Sequence, residues 1–294
     1  MSAQLINGKA IAEQIHQETR QRVAALQSRG IQPAIVFIRV GEDPASRAYV
    51  GMKDKQAAAL GLLSRTHVLP VATTQAELLT LIDSLNADPS VHGILVQAPL
   101  PSPISETAVF SRVDPRKDVD GFHPLNVGKL LLGDPTGFRP CTPAGVQELL
   151  IRSHIPTAGA FVAILGRGNI VGKPLAAILC QKSSGANATL CLIHSASRDV
   201  PALTRQADIV VAAMGRAEFI RGDHIKPGAT VIDVGVNRIE DPNTPKGYRL
   251  VGDIAFEEVC QVAAYVTPNP GGVGPMTIAM LMANTVTAAE KLTA

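Results

Sequence analysis

The chain has 294 residues, of which 46% are hydrophobic and 18% are charged, and its formal net charge at pH 7 is +2. This composition is typical of a globular protein with one large or two ordinary domains, and it excludes a disordered chain. So small a net charge, with no basic run, argues against a nucleic-acid-binding surface.

The cysteines and the first residues of the chain predict its compartment. Cys141, Cys180, Cys191 and Cys260 are scattered, with no Cys-x-x-Cys pair and no metal-ligand spacing. We therefore expect reduced thiols and no metal site. The N-terminal residues lack the apolar core of a signal peptide, and no segment is apolar over a membrane-spanning length. These features predict a soluble, cytoplasmic protein with no membrane partner.

The first part of the chain alternates predicted helices and strands. In chain order we expect a helix over 8–27, a strand over 34–40, a helix beginning at 44, a strand over 64–69, a helix from 74 to about 86 and a strand over 93–97. Thr74 and Glu77 form the capping box that opens the third helix. Short β-branched runs such as 34–40 are typical of buried parallel strands, so this order predicts an α/β layer.

The second predicted helix carries a candidate catalytic pair, Tyr49 and Lys53. Asp43 and Pro44 indicate its N-cap and first turn, and Gly61 indicates its end. The two side chains then lie one turn apart on one face of the helix.

The neighbours of this pair on the same helical face are Ala45, Met52 and Gln56, so we expect the face to be mostly apolar. Partial desolvation lowers the pKa of a lysine and lets it exchange protons near neutral pH. The alternative is a lysine that extends from a half-buried helix beside a packing tyrosine.

The passage 113–142 is rich in proline and glycine and predicts a domain boundary or a substrate loop. Its carboxylates include Asp118 and Asp120, which taken alone would be turn formers. A helix is expected over 143–153, then strands over 160–165, 188–193, 209–213 and 230–234, and an amphipathic helix over 277–292.

The strand that ends at Leu165 runs into the glycine-rich segment Gly166-Arg-Gly-Asn-Ile-Val-Gly172, with a helix expected after it. A strand, a glycine loop and a helix in this order are what a dinucleotide-binding fold requires. The same segment is one residue too long for a phosphate-binding P-loop, and Pro174 stands where that loop has Ser or Thr. Both differences argue against an NTPase. In short-chain dehydrogenases the Tyr-x-x-x-Lys pair follows the glycine loop, whereas here Tyr49 and Lys53 precede it, which excludes that class of enzyme.

The next strand ends near Ser195 and Arg198, with no acidic residue to bind a ribose 2′-hydroxyl. Together with Arg167 in the glycine loop, these residues favour NADP over NAD. The alternative is that Ser195 and Arg198 are ordinary loop residues.

Four segments resemble the bifunctional methylenetetrahydrofolate dehydrogenase/methenyltetrahydrofolate cyclohydrolase family. They are Ser46-Arg-Ala-Tyr-Val-Gly-Met-Lys53, Gly93-Ile-Leu-Val-Gln-Ala-Pro-Leu-Pro101, Lys117-Asp-Val-Asp-Gly-Phe-His-Pro124 and Pro270-Gly-Gly-Val-Gly-Pro-Met-Thr277. The last segment is the most specific, with three glycines and two prolines in eight residues. The similarity extends over essentially the whole chain.

The resemblance implies roles for individual residues on the folate side. Lys53 would be the cyclohydrolase acid/base, Gln97 would orient it, and Tyr49 would stack on the folate ring. Asp120 would bind the pterin, and a loop at Gly274 and Pro275 would close over it.

On the cofactor side, the family's contact positions are occupied by Gly166, Arg167, Ile170, Gly172 and Ser195. Gly168 and Arg198 are predicted cofactor contacts as well. Two of the chain's residues depart from the family pattern: Gly168 stands where serine is usual, and Asn269 where valine is common.

The implied architecture is an α/β folate-binding catalytic domain over 1–140, to which a C-terminal helix over 272–294 returns, and a Rossmann-type NADP-binding domain over 141–271, with a cleft between them. A homodimer is implied as well. Two alternative functions remain. A dehydrogenase without the hydrolase would lack Lys53 or Gln97, and a non-catalytic folate- or nucleotide-binding protein would lack Lys53 or the glycine loop. Lys53, Gln97 and the glycine loop are all present.

Overall fold

The computed structural model describes residues 2–242, 244 and 247–294, and its chain divides into two compact units. The three-stranded unit comprises Glu13–Cys141 and Ile278–Ala294, and the six-stranded unit comprises Met1–Ala12 and Thr142–Thr277. Each unit is built from parallel strands connected by helices, so the predicted two-domain α/β class is confirmed. The bounds differ from the expected domains at the N-terminus, where the first strand belongs to the six-stranded sheet.

The helices are α1 (Gly8–Ser28), α2 (Pro44–Ala59), α3 (Gln75–Ala87), α4 (Glu106–Arg112), α5 (Pro124–Leu132), α6 (Cys141–Arg152), α7 (Gly172–Leu179), α8 (Val200–Thr204), α9 (Phe256–Val262) and α10 (Val273–Leu292). The strands are β1 (Gln4–Leu5), β2 (Ala34–Val40), β3 (Leu63–Leu69), β4 (Gly93–Val96), β5 (Phe161–Leu165), β6 (Thr189–Ile193), β7 (Ile209–Ala212), β8 (Thr230–Asp233), β9 (Asn237–Glu240), β10 (Tyr248–Val251) and β11 (Tyr265–Val266). Over the described part of the chain, no helix has the length and apolarity needed to cross a membrane.

In the three-stranded unit the strand order is β3-β2-β4, and all seven residues of the central strand β2 are buried. One face of this sheet packs against α1, α2 and α10, and the other packs against α3 and α4. The backbone N–H of Gln97 donates to the Ile38 carbonyl at 2.8 Å, which extends the β2–β4 ladder by one residue. The side chain that follows β4 is therefore fixed at the carboxyl edge of the sheet.

Two elements differ from the sequence-based expectation. The passage 113–142 is not only loop, because α5 lies within it; His123 caps this helix and Gly133 ends it with a φ of 74°. Pro124 occupies the first turn, where proline stabilises a helix instead of breaking it. The final helix begins at Val273, four residues earlier than predicted, because Pro275 is likewise tolerated in its first turn.

The six-stranded sheet has the order β1-β11-β8-β7-β5-β6, and each of its strand pairs is parallel. Strand β5 pairs with β6 on one side and with β7 on the other, so the chain changes direction across the sheet at β5. In parallel α/β sheets, ligands bind outside the carboxyl ends of the strands at such a point. The antiparallel hairpin β9–β10 was not anticipated from the sequence.

Two buried aspartates connect the loops at the carboxyl edge of this sheet. Asp233, the last residue of β8, accepts hydrogen bonds from the backbone N–H groups of Gly235 (3.0 Å) and Asp253 (2.9 Å). Its carboxylate lies so close to Gly252 that a Cβ there would be 1.5 Å from Oδ2. Burial raises the pKa of Asp233 to about 7, and the nearby Asp253 charge adds to this effect.

Protonation of Asp233 is expected to make stability depend on pH. An unfolded aspartate has a pKa near 3.9, and the folded value is about 7, so the folded chain binds the proton more tightly between these values. The contribution of this group to the free energy of unfolding is complete below about pH 4 and is lost as the pH rises to about 7. Asp233→Asn should flatten this decline, and urea unfolding between pH 5 and pH 8 measures it.

Asp223→Asn is the matched control, because the Asp223 side chain is 80% exposed in the same unit. It should keep the pH slope of the parent protein. An unchanged slope in Asp233→Asn would show that another group causes the decline.

Candidate active site and cofactor loop

Helix α2 begins and ends at the residues that the sequence predicts. The Asp43 carboxylate accepts a hydrogen bond from the Ser46 backbone N–H at 2.7 Å, and Pro44 is the first helical residue. Leu60 is the C-cap, and Gly61 follows it with a φ of 80°, in the left-handed region that glycine adopts at low cost. These local signals fix the rotation of the helix, and with it the direction of Lys53.

The buried face of α2 differs from the expected one. Its buried residues are Ser46, Val50, Lys53 and Ala57. Met52 is 51% exposed and Ala45 is also exposed, so the prediction that they flank Lys53 on an apolar face is wrong. Successive helical residues are rotated by about 100°, and the face is therefore centred on Val50 and Lys53. The lysine is buried more deeply than expected, with 4% of its surface exposed.

Lys53 contacts two of the predicted site residues. Its Nζ donates a hydrogen bond to Gln97 Oε1 at 3.0 Å and lies 4.4 Å from the centroid of the Tyr49 ring. The Gln97 Nε2 donates to the Ala98 carbonyl at 2.6 Å, which holds the amide oxygen toward the lysine. Both contacts favour a cationic ammonium, through a dipole and through the face of an aromatic ring.

Burial dominates the protonation of Lys53. Desolvation lowers the pKa of the ammonium, and the charge of Asp120 offsets this only in part. Removing a charged group from water disfavours its charged form, so the neutral amine becomes accessible closer to neutral pH. A lysine in this state can act both as a base and as an acid.

The two aspartates of the 118–120 segment differ in environment. Asp118 is buried, and its carboxylate accepts hydrogen bonds from the backbone N–H groups of Phe122 and His123 and from the Asn126 side chain. These bonds make it a turn former. Asp120 is half-buried, and desolvation raises its pKa, while the Lys53 charge and a hydrogen bond from Cys141 act in the opposite direction.

Cys141 and the last helix complete the surroundings of Asp120. The buried Cys141 thiol has two alternative acceptors for its single proton, the Val119 carbonyl oxygen at 3.3 Å and the Asp120 carboxylate. Burial next to Asp120 raises the pKa of the thiol well above its ordinary value. Asn284 of α10 donates to the carbonyls of Val119 and Arg139 at 2.8 and 3.1 Å. Two uncharged side chains, Cys141 and Asn284, therefore hold the backbone next to Asp120.

Three histidines of the chain share one hydrogen-bond arrangement. In each, Nδ1 accepts a hydrogen bond from a backbone N–H: His92 from Ala34, His123 from Leu125 and His194 from Ala196. Within the described residues, no group of three or more His, Cys, Asp or Glu side chains could hold a metal ion.

The glycine-rich loop between β5 and α7 contains two glycines that cannot be replaced without movement. At Gly166, where φ is 120°, a Cβ would lie 2.1 Å from the Ala213 carbonyl oxygen. At Gly172 it would lie 1.8 Å from the Gly166 carbonyl oxygen. At Gly168 an added Cβ would meet no atom within 4 Å. The start of the loop therefore lies against the residue that follows β7, and the first residue of α7 lies against the start of the loop, whereas the centre of the loop has free space.

A cavity of about 560 Å³ opens at the carboxyl ends of β5, β6 and β7. Four of the predicted cofactor residues line it: Gly166, Arg167, Gly168 and Ser195. Ile170, Gly172 and Arg198 are not among its lining residues, and Gly172 instead begins α7.

Ser197, Arg216 and Phe219 are among the residues of this cavity wall to which sequence reasoning assigned no cofactor contact. Two of them follow β7, and the rule that ligands bind at the carboxyl ends of parallel strands could have identified that loop.

Comparison with known proteins identifies the family. A family model described as the tetrahydrofolate dehydrogenase/cyclohydrolase catalytic domain matches residues 6–120, and the corresponding NAD(P)-binding domain matches residues 140–293. The chain belongs to the tetrahydrofolate dehydrogenase/cyclohydrolase family. This confirms the resemblance inferred from the four sequence motifs.

Relatives of this tetrahydrofolate dehydrogenase/cyclohydrolase are similar along the whole chain. The bifunctional protein FolD of Dehalococcoides mccartyi strain CBDB1 is 55% identical over 293 residues, which cover 99% of this chain and 98% of that protein. The crystal structure of bifunctional FolD from Campylobacter jejuni is 44% identical, with a TM-score of 0.93 and 99% of both chains covered. The Trypanosoma brucei FolD structure, solved with NADP and an inhibitor, is 40% identical, with a TM-score of 0.93 and 99% and 98% covered.

The remaining predicted residues are placed as follows. Gly274 and Pro275 lie in the first turn of α10 and not in a loop, which corrects that expectation, and an added Cβ at Gly274 would meet open space. Asn269, where valine is common in the tetrahydrofolate dehydrogenase/cyclohydrolases, donates from Nδ2 to the Gly235 carbonyl at 2.5 Å. A valine could not make this bond.

The glycine contacts predict opposite results for two substitutions. Gly168→Ser should leave NADP affinity unchanged or increase it, because the side chain has room and restores the family's hydroxyl. Gly172→Ala should force the loop to move, at a cost of about 1–3 kcal/mol, or roughly five- to 150-fold in NADP affinity. Calorimetric titration of both variants measures the two Kd values. Equal losses in the two variants would contradict the assignment of the close contacts.

Proposed function

We propose that this chain oxidises 5,10-methylenetetrahydrofolate to 5,10-methenyltetrahydrofolate with NADP and then hydrolyses the product to 10-formyltetrahydrofolate. The observation that carries the proposal is the buried Lys53, bound to Gln97 and lying over the Tyr49 ring. A dehydrogenase without the hydrolase would need no such lysine. A non-catalytic binding protein would need neither this lysine nor its lowered pKa.

In the hydrolysis, Lys53 would transfer protons between water and the folate. As the neutral amine it accepts a proton from the water whose oxygen bonds to the methenyl carbon. As the ammonium it donates a proton to the ring nitrogen N5 when the bond from that nitrogen to the former methenyl carbon breaks, which leaves the formyl group on N10. The remaining hydroxyl proton passes to solvent. A pKa near the working pH is what both transfers require.

Gln97 would orient the lysine, and Tyr49 would contact the folate. The Gln97 amide oxygen accepts from Nζ and so directs the lone pair of the neutral amine away from the glutamine. Tyr49 is half-buried, and we assign its ring to stacking on the aromatic part of the folate.

Asp120 would bind the pterin end of the folate. Its carboxylate can accept from the amino group and the adjacent ring N–H of the pterin, a pair of charge-assisted bonds worth roughly 1.5–3 kcal/mol each. Asp118 cannot take this role because backbone and Asn126 donors already occupy its oxygens. Gly274 and Pro275 remain predicted folate contacts.

The six-stranded unit has the features that NADP requires. Gly166 and Gly172 keep the loop free of side chains where it turns into α7, whose N-terminus carries a partial positive charge. Arg167 and Ser195 line the cavity and are suited to the phosphorylated ribose, and Ile170 and Arg198 stay predicted contacts. When bound, NADP accepts the hydride from the methylene carbon, which requires positioning more than a base.

The resemblance also suggests a cytoplasmic homodimer that supplies one-carbon units for purine biosynthesis. The relatives of the chain include bacterial bifunctional FolD proteins. We propose this setting on the likeness alone, and sedimentation at micromolar concentration would test the oligomeric state.

Lys53→Gln should remove the hydrolase and keep the dehydrogenase, because only hydrolysis needs proton transfer by the side chain. We expect hydrolysis of methenyltetrahydrofolate to fall by at least about 100-fold, and methenyl product to accumulate when methylenetetrahydrofolate and NADP are supplied. Absorbance at the methenyl and NADPH bands follows both reactions in one assay.

Lys55→Gln is the control, since Lys55 lies on the same helix and is exposed. It should hydrolyse the methenyl compound at the parental rate. A Lys53→Gln variant that did the same would refute the proposed role, and parallel losses of both activities would indicate a structural role.

A further inference from the structure

The loop after β7, residues 213–220, contributes Met214, Arg216 and Phe219 to the wall of the cavity. We call it the β7 loop. None of these residues belongs to the glycine-rich segment or to the end of β6, where the family resemblance places the cofactor contacts. The β7 loop therefore supplies a third side of the cavity, which those contacts leave undescribed.

A fully buried carboxylate fixes the backbone of this loop. Asp253 has 0% of its surface exposed, and it accepts hydrogen bonds from three consecutive backbone N–H groups, those of Met214, Gly215 and Arg216, at 2.7, 2.9 and 2.8 Å. Asn237 donates to the same carboxylate at 2.8 Å. Bonds from several donors to one ionised acceptor are among the stronger hydrogen bonds in proteins. The Cα of Arg216 is thereby held in place before any ligand binds.

Main-chain bonds hold the rest of the β7 loop. The Glu218 N–H donates to the Gly252 carbonyl at 3.1 Å, and the Ile220 N–H donates to the Asp253 carbonyl at 3.0 Å. The loop is thus attached to residues 252–253 along most of its length. A loop fixed in this way loses little conformational entropy when a ligand binds.

The Arg216 side chain is ordered yet available to a ligand. Its guanidinium lies 4.2 Å from the centroid of the Phe219 ring. Among the described residues no carboxylate forms an ion pair with Arg216, whereas Glu218, two residues on, pairs with Arg249. Arg216 is exposed, so its guanidinium is accessible to an anionic ligand.

The charges that line the cavity have one sign. Its lining includes two arginines, Arg167 and Arg216, and the hydroxyl groups of Ser195 and Ser197, and no described aspartate or glutamate lines it. An acidic residue at the end of the second strand is what a ribose 2′-hydroxyl requires, and cations suit a 2′-phosphate. Guanidinium groups are suited to phosphate because they donate several hydrogen bonds in a fixed plane.

We propose that Arg216 is a specificity-determining residue that favours the 2′-phosphate of NADP over the 2′-hydroxyl of NAD. This inference rests on the proposed function, since it takes the cavity to be the adenosine end of the cofactor site. Arg167 and Ser195 provide the contacts implied by the family resemblance, and Arg216 adds a second cation from the opposite loop. Phe219 and Asp253 act as positioning residues, one through the guanidinium and the other through the backbone.

Arg216→Gln tests the proposal without disturbing the fold, because the side chain is exposed. Kd values for NADP and NAD are measured by calorimetry without folate, at 50 and 200 mM salt. We expect NADP to bind about three- to tenfold more weakly, a loss reduced by solvent screening. NAD should change less than twofold, and the salt dependence of NADP binding should become shallower. Arg216→Lys should retain most of the preference.

Arg221→Gln is the matched control, because Arg221 is exposed in the same unit and does not line the cavity. It should leave both Kd values unchanged. Equal weakening of NADP and NAD in Arg216→Gln would overturn the inference, because the side chain would then contact the part that the two cofactors share. An unchanged NADP affinity would overturn it as well. A parent protein that prefers NAD would instead overturn the cofactor assignment itself.

Discussion

The burial of one ammonium group is the constraint on which the proposed chemistry depends. Lys53 has 4% of its surface exposed, and desolvation lowers its pKa. If burial acted alone, the pKa of Lys53 would fall further and the neutral amine would predominate. Gln97, the Tyr49 ring and the Asp120 charge stabilise the cation. The opposing effects leave both protonation states accessible, which a group that accepts and returns protons requires.

The fold holds these groups at one edge of a three-stranded sheet. Asp43 fixes the start of α2 and hence the direction of Lys53, and Gln97 is the first residue after β4. Asn284 binds the carbonyls next to Asp120 from the last helix. In the six-stranded unit, too, a side chain binds the backbone of a loop: the buried Asp253 carboxylate holds the loop that faces the cavity. In both units regular elements position the polar groups, and short hydrogen bonds hold the intervening loops.

The sequence predicted local features well because their causes are local. The cap at Asp43, the one-turn spacing of Tyr49 and Lys53, and the strand before Gly166 depend on residues a few positions apart. Bonds between distant segments could not be predicted, and the anchoring of the β7 loop, which joins residues almost forty positions apart, is the main example. The helix α5 was missed because its first-turn proline and terminal glycine resemble a loop composition. Gln97 and Asp120 were identified through the family motifs and not through any local pattern.

The most direct test of the central claim is the pKa of Lys53 itself. Nitrogen-15 NMR of lysine-labelled protein, with Lys53→Gln used to assign the Nζ resonance, would follow its titration without substrate. The account predicts a midpoint clearly below the value of about 10.4 for an unperturbed lysine. A Lys53 that titrates at or above the ordinary value would show that the contacts with Gln97, Tyr49 and Asp120 outweigh burial. The proposed proton transfer would then lose its physical basis.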